Sequence, residues 1–172
     1  GFLISANYTD QLDSRPIKDG GLRIKKDARD ALIANPLRPT STGSGTYHNA
    51  LFLRNSDFER VDWRMNTRST SLSGQAKIDV NAGANINLKF GGSFSYNSGP
   101  DYSYKGSLLN FQNFGFSKSL DYRVFGQLNQ RFNNNVEGSS SKIKSALYNI
   151  MVDYSKSSSE SYDANHKYNL FN

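Results

Sequence analysis

A reactive centre needs a base, a nucleophile or a set of ligands, and this chain offers few. Its 2 histidines, His48 and His166, stand far apart in segments that read as different loops. With no cysteine present, thiolate zinc sites, disulfides and cysteine catalysis drop out together. A metal would then need carboxylates to complete its shell, and no two- or three-residue ligand spacing occurs. The glycine-containing stretches Gly43-Ser44-Gly45 and Gly91-Gly92 lack the Lys-Ser/Thr pair and following helix of a phosphate loop. The expectation is a protein that is not an enzyme and holds neither metal nor cofactor.

What remains are residues suited to contact. Tyr102 and Tyr104, in the polar segment Asp101-Tyr102-Ser103-Tyr104-Lys105, are candidate loop contacts for a ligand or partner protein, or markers of a membrane interface. Trp63, the lone tryptophan, is a third candidate, and its place beside Arg60 and Arg64 favours packing within a loop. The densest basic group is Arg15, Lys18, Arg23, Lys25, Lys26 and Arg29. It reads as a solvated loop face, with a site for anionic lipid headgroups or phosphates as the alternative. Because the charge of +6 is spread along the chain, no nucleic-acid partner is expected.

The elements that must position these residues are legible in the composition. Hydrophobic residues make up only 36% and mean hydropathy is −0.66, yet aromatics reach 13%. Water-soluble cores rarely combine the two. Transmembrane barrels do, because one face of each strand meets lipid and aromatics gather at the interfaces. The longest apolar runs are short, such as Ala31 to Ala34 and Ala50 to Leu53, far below the ~20 residues of a membrane helix. The chain begins at Gly1 with no charged and apolar leader, so a secretion signal is expected outside this sequence.

Alternation is clearest from Ser71 to Asn97. Even positions carry Leu72, Ala76, Ile78, Val80, Ile86, Leu88, Phe90 and Phe94, while odd positions carry Gln75, Lys77, Asp79, Asn87 and Lys89. That period of 2 predicts a hairpin turning at Asn81 to Asn85, with the even set facing lipid and the odd set a wet lumen. Further alternating runs predict strands near 2–8, 120–132 and 142–154, beside 70–80 and 86–96 in the hairpin. The stretch Asn133 to Ser141, ending in Gly138-Ser139-Ser140-Ser141, reads as a reversal. Gly74, Gly92 and Gly126 fall on the even face, where a packing or bend role is expected.

The expected fold is all-β: an antiparallel transmembrane β-barrel segment of about five strands, residues 1–172 belonging to one outer-membrane barrel domain. Long loops over 9–69 and 97–119 alternate with short turns, which places the long loops outside the cell. The first loop should carry short helices. Ile24, Ala28, Ala31 and Leu32 share a helical face stopped by Asn35-Pro36, and Ser56-Asp57-Phe58-Glu59 matches a capping box that would start a second helix.

Several stretches resemble large TonB-dependent receptors, in the subgroup with a carboxypeptidase-regulatory-like domain before the plug. They are Gly1-Phe2-Leu3-Ile4-Ser5-Ala6, Asn35-Pro36-Leu37-Arg38-Pro39, Leu88-Lys89-Phe90-Gly91-Gly92-Ser93, Tyr122-Arg123-Val124-Phe125-Gly126 into Gln130-Arg131-Phe132, and His166-Lys167-Tyr168-Asn169-Leu170-Phe171. The similarity covers nearly all of the chain in family order. It implies an early barrel segment in the outer membrane of a Gram-negative bacterium, active in uptake or surface capture of a bulky nutrient. The partners it implies are outer-membrane lipid, the remainder of the barrel and its plug, a TonB complex, and a surface lipoprotein or other outer-membrane subunits.

Two other readings of function stand beside it. One is a structural or assembly scaffold barrel within an outer-membrane complex, and the other is a soluble glycan-binding β-sandwich. The chain carries no plug-like stretch, and five strands are too few to close the ~22-stranded barrel of an outer-membrane transporter.

Overall fold

The structure, a computed structural model, describes residues 1–133, 145–163, 165–167 and 169. It is mostly β, in antiparallel sheets, as expected. In chain order the elements are β1 (Phe2–Gln11), β2 (Gly21–Ile24), α1 (Lys26–Ala34), β3 (Leu37–Pro39), β4 (Thr46–His48), β5 (Phe58–Val61), β6 (Ser69–Gly83), β7 (Ile86–Pro100), β8 (Gly115–Asn133) and β9 (Ser145–Asp163). The five long strands form one sheet in the order β1-β6-β7-β8-β9, while β2 pairs with β5 and β3 with β4.

Two compact units emerge. One holds residues 1–10, 70–98 and 118–160, the long-strand sheet, and the other holds 11–69, 99–117 and 161–172. All three buried hydrophobics of the described residues, Ile24, Phe111 and Phe114, belong to the second unit. Among the described residues the sheet unit has no buried hydrophobic core. Its apolar side chains lie on the surface, Phe2 at 82% exposure and Val152 at 70%.

The β6–β7 register pairs Leu72 with Tyr96, Gly74 with Phe94, Ala76 with Gly92, Ile78 with Phe90 and Val80 with Leu88. Even residues therefore oppose even residues, and the alternation of each strand becomes a two-faced ladder. The reciprocal backbone bonds between Gly1 and Asp79 keep the same parity on β1. On the other side, Phe90 packs where a Cβ on Gly126 would be, and the Tyr122–Tyr154 and Phe132–Tyr148 ring pairs extend the even face to β9.

The long strands exceed their expected bounds. Alternation fades after Asn97, before Leu120 and after Tyr154, yet β7 continues to Pro100, β8 begins at Gly115 and β9 runs to Asp163. The backbone ladder needs no apolar side chains once the register is set. Polar cross-strand pairs carry it outward: Ser157 donates to Asp121 at 2.5 Å and Lys118 meets Glu160 at 3.0 Å. The connections shrink correspondingly to 12–68 and 101–114. The expected reversal before β9, and the first residues of the 142–154 strand, fall within 134–144, outside the described residues.

In the first connection α1 forms before the Asn35-Pro36 stop, but Ile24, expected on its face, is the last residue of strand β2, where pairing with Phe58 claims its backbone, and Ala31 is exposed. Ala28 and Leu32 pack on the Ile24, Phe111 and Phe114 cluster. Asn35, whose N–H still bonds to Ala31 O at 3.0 Å, leaves the helical region before Pro36. The second expected helix is absent. Asp57 does accept a hydrogen bond from the Arg54 backbone N–H, but it closes only a short 3-10 turn over Asn55–Asp57, and Phe58–Val61 is strand β5. Pairing with Gly21–Ile24 satisfies that backbone more fully than a single isolated turn.

Candidate functional site: a two-faced sheet and its loop unit

The residues expected to face lipid share one side of the sheet. Leu72, Ile78, Val80, Phe90 and Phe94 are exposed there, Ile78 and Phe90 at 52% each, with Ala76, Ile86 and Leu88 beside them. No Asp, Glu, Lys or Arg occupies an even position over 2–8, 70–82, 86–96, 120–132 or 146–154. Aromatic rings bound this band at both ends: Tyr8, Tyr96, Tyr122 and Tyr154 at one, Phe132 and Tyr148 at the other. Tyr122 and Phe132 are ten residues apart on β8, ~34 Å of strand, which a tilt of ~40° projects to about 26 Å. Charge returns at even positions beyond the tyrosine end, with the Lys118–Glu160 pair.

The opposite face is polar and hollowed. Ser5, Gln75, Ser93, Arg123 and Ser157, one from each of the five long strands, line an open groove of ≈ 640 Å³. Short polar side chains dominate it, and odd positions of these strands carry charge pairs: Lys77 with Asp79 at 3.1 Å and Arg123 with Asp153 at 3.2 Å. Gln127 reaches Asn149 at 3.1 Å on the same face. The separation of faces is not absolute. Leu3, Leu147 and Met151 sit at odd positions of β1 and β9, the two strands with only one neighbour among the described residues, and are exposed, while Phe125 sits at an odd position of β8 against Gly91.

The three loop contacts expected from the sequence all belong to the second unit but differ in situation. Tyr102 is part of its packing: the ring meets Phe114 edge-on at 5.5 Å and lies under the Arg64 guanidinium at 4.7 Å. Tyr104 projects at 84% exposure, and Trp63 is 46% exposed. Tyr102 and Tyr104 line one groove with Leu22, Val61 and Leu108.

Arg64 is fixed by a partner that local sequence reading missed. The Asp13 side chain, 2% exposed, accepts from Arg64 Nε at 3.0 Å and from the Arg64 and Arg15 backbone N–H groups at 3.0 and 2.8 Å. Hydrogen bonding from the Arg64 guanidinium, with these backbone bonds, holds the Asp13 carboxyl well below the usual carboxylate range against the opposing effect of burial. No periodicity or motif links residues 51 positions apart.

Much of the basic cluster is engaged within the unit. Arg23 pairs with Glu59 at 2.6 Å, and Lys26 with Asp30 at 2.7 Å. His48 ends β4 opposite Leu37, and no His, Cys, Asp and Glu group able to hold a metal occurs among the described residues. Neither protein-family models, nor curated proteins, nor solved structures yield a match to this chain.

Proposed function

We propose that this chain is part of the wall of an outer-membrane β-barrel of the TonB-dependent receptor kind, serving uptake or surface capture of a bulky nutrient. The observation that carries the barrel reading is the uncovered, charge-free band on one face of the sheet, ringed at both ends and backed by a polar hollow. The projected height of about 26 Å matches the ~25 Å apolar band of outer-membrane barrels. A water-soluble protein does not leave so large an apolar face bare. Unpaired β1 and β9 edges would each leave backbone groups unsatisfied in hydrocarbon, so further strands must continue the sheet on both sides.

Transport is supported by the stretches similar to TonB-dependent receptors, which run through nearly the whole chain. The barrel reading is tested by extraction: the full-length protein should leave membranes only with detergent and migrate faster on a gel before boiling than after. A protein that stays monodisperse without detergent would instead be the soluble sandwich. Energy coupling is tested separately, by formaldehyde cross-linking in intact cells. An adduct with TonB is expected. Its absence, under conditions where another receptor cross-links, would favour the scaffold role.

A further inference from the structure

Arg29 lies in α1 beside a groove of ≈ 390 Å³ between the helix and the turn at 109–113. A guanidinium carries five N–H donors, and burying one without an acceptor is costly. Here Nε is buried with no hydrogen-bond partner. The one ion-pair contact of the guanidinium among the described residues is Nη2 to Asp30 at 3.7 Å, and Lys26 already holds the Asp30 carboxylate at 2.7 Å. The fork is thus poorly occupied by the protein itself.

The rest of the groove has a consistent character. Leu32, Ile33, Pro36 and Leu109 form apolar walls, with Ile33 at 69% and Leu109 at 40% exposure. Asn110, Gln112 and Asn113 add neutral amides at one side. One N–H of the Asn113 amide goes to Asn110 Oδ1 and its oxygen accepts from Asn165 Nδ2, which leaves the second Asn113 N–H, Asn110 Nδ2 and the Gln112 amide as donors. One cation, amide donors and apolar walls in a hollow of this size suit a ligand with a single negative charge and an apolar body. A planar carboxylate fits an arginine fork bidentately.

The geometry points to this groove as a binding site for an amphiphilic carboxylate, its acid group on Arg29 and its apolar part against Leu32, Ile33 and Leu109. All these residues belong to the second unit, so the inference does not rest on the membrane reading of the sheet.

The test uses the purified full-length protein and isothermal titration with N-acetyl-L-leucine, its uncharged isostere N-acetyl-L-leucinamide, and inorganic phosphate. The acid should bind saturably, and the amide at least about 10-fold more weakly. Arg29→Gln should lose a similar factor for the acid with an unchanged melting temperature, and Ile33→Asp should also weaken it. Should Arg29→Gln fail to fold, the acid-to-amide ratio on the unaltered protein decides. No saturable binding of the acid, equal binding of the amide, or indifference to Arg29→Gln would overturn the proposal. Phosphate binding as tightly as the acid would make this a plain anion site and overturn the amphiphilic class.

Discussion

The Phe94 ring lies over the backbone of Gly74, its directly opposed residue on β6, so closely that a Cβ at 74 would stand 2.6 Å from Phe94 Cε1. The same device recurs where Phe125 covers Gly91 and Phe90 covers Gly126. A ring over a strand glycine replaces the missing side chain and pins the register. The packing role expected for Gly74 and Gly126 is what these contacts show.

Gly92 differs from Gly74 in what a side chain would strike. At Gly92 a Cβ would meet the Arg123 carbonyl oxygen at 2.8 Å, which is backbone, whereas at Gly74 it meets the end of an exposed ring that can swing aside. Gly92→Ala should therefore cost about 1–3 kcal/mol. Gly74→Ala should cost less, offset in part by the lower entropy of the unfolded chain. Urea midpoints of the full-length protein refolded into lipid provide the comparison, and a reversed order would show that the ring at 94 cannot move.

Ala76 and Gln75 are neighbours on β6 that point to opposite faces, Ala76 within the apolar band and Gln75 into the polar groove. If the band meets hydrocarbon, Ala76→Arg should lower stability by roughly 2–4 kcal/mol and reduce folded yield. Gln75→Arg should be tolerated. Equal tolerance of the two would argue that the even face is not in lipid.

If the sheet is part of an outer-membrane barrel, the length pattern of its connections would put 12–68 and 101–114 outside the cell and the tight turn at Ala84-Asn85 on the inner side. Cysteines introduced at Ser44 and Tyr104, both exposed, should react with an impermeant maleimide on intact cells. One at Ala84 should react only after lysis. Labelling at Ala84 alone on intact cells would invert the topology.

The Asp13–Arg64 pair predicts a pH dependence for the loop unit. Because the folded Asp13 carboxyl sits below its ordinary value, its contribution is fully present above the unfolded value of ~3.9 and is lost as pH falls through the lower folded value. Protection should hold from neutrality to about pH 4 and decline below it. Asp13→Asn, which leaves a largely buried Arg64 without its counter-charge, should cost about 3 kcal/mol at neutral pH and flatten that acid decline. Hydrogen exchange in peptides covering residues 54–70 measures both. An unchanged acid profile in Asp13→Asn would remove the pair as its cause.

The sequence by itself determined the two-faced strands, because alternation is a local property: each side chain's direction follows from its neighbours along the chain. Leu72 to Phe94 could be assigned to one face without knowing which strand lay beside which. It also determined α1, since Ala28, Leu32 and the Asn35-Pro36 stop act within a few turns. Only the tertiary structure decided whether Phe58–Val61 was helix or strand, because pairing with Gly21–Ile24 overrode a local capping signal. The reach of β9 through Ser157 and Glu160 was likewise invisible, since those polar residues are held by Asp121 and Lys118 on another strand. The Asp13–Arg64 lock and the Arg29 groove join segments distant in sequence. Such contacts leave no period and no motif, because they are selected by the closing of the fold and not by the geometry of any one element.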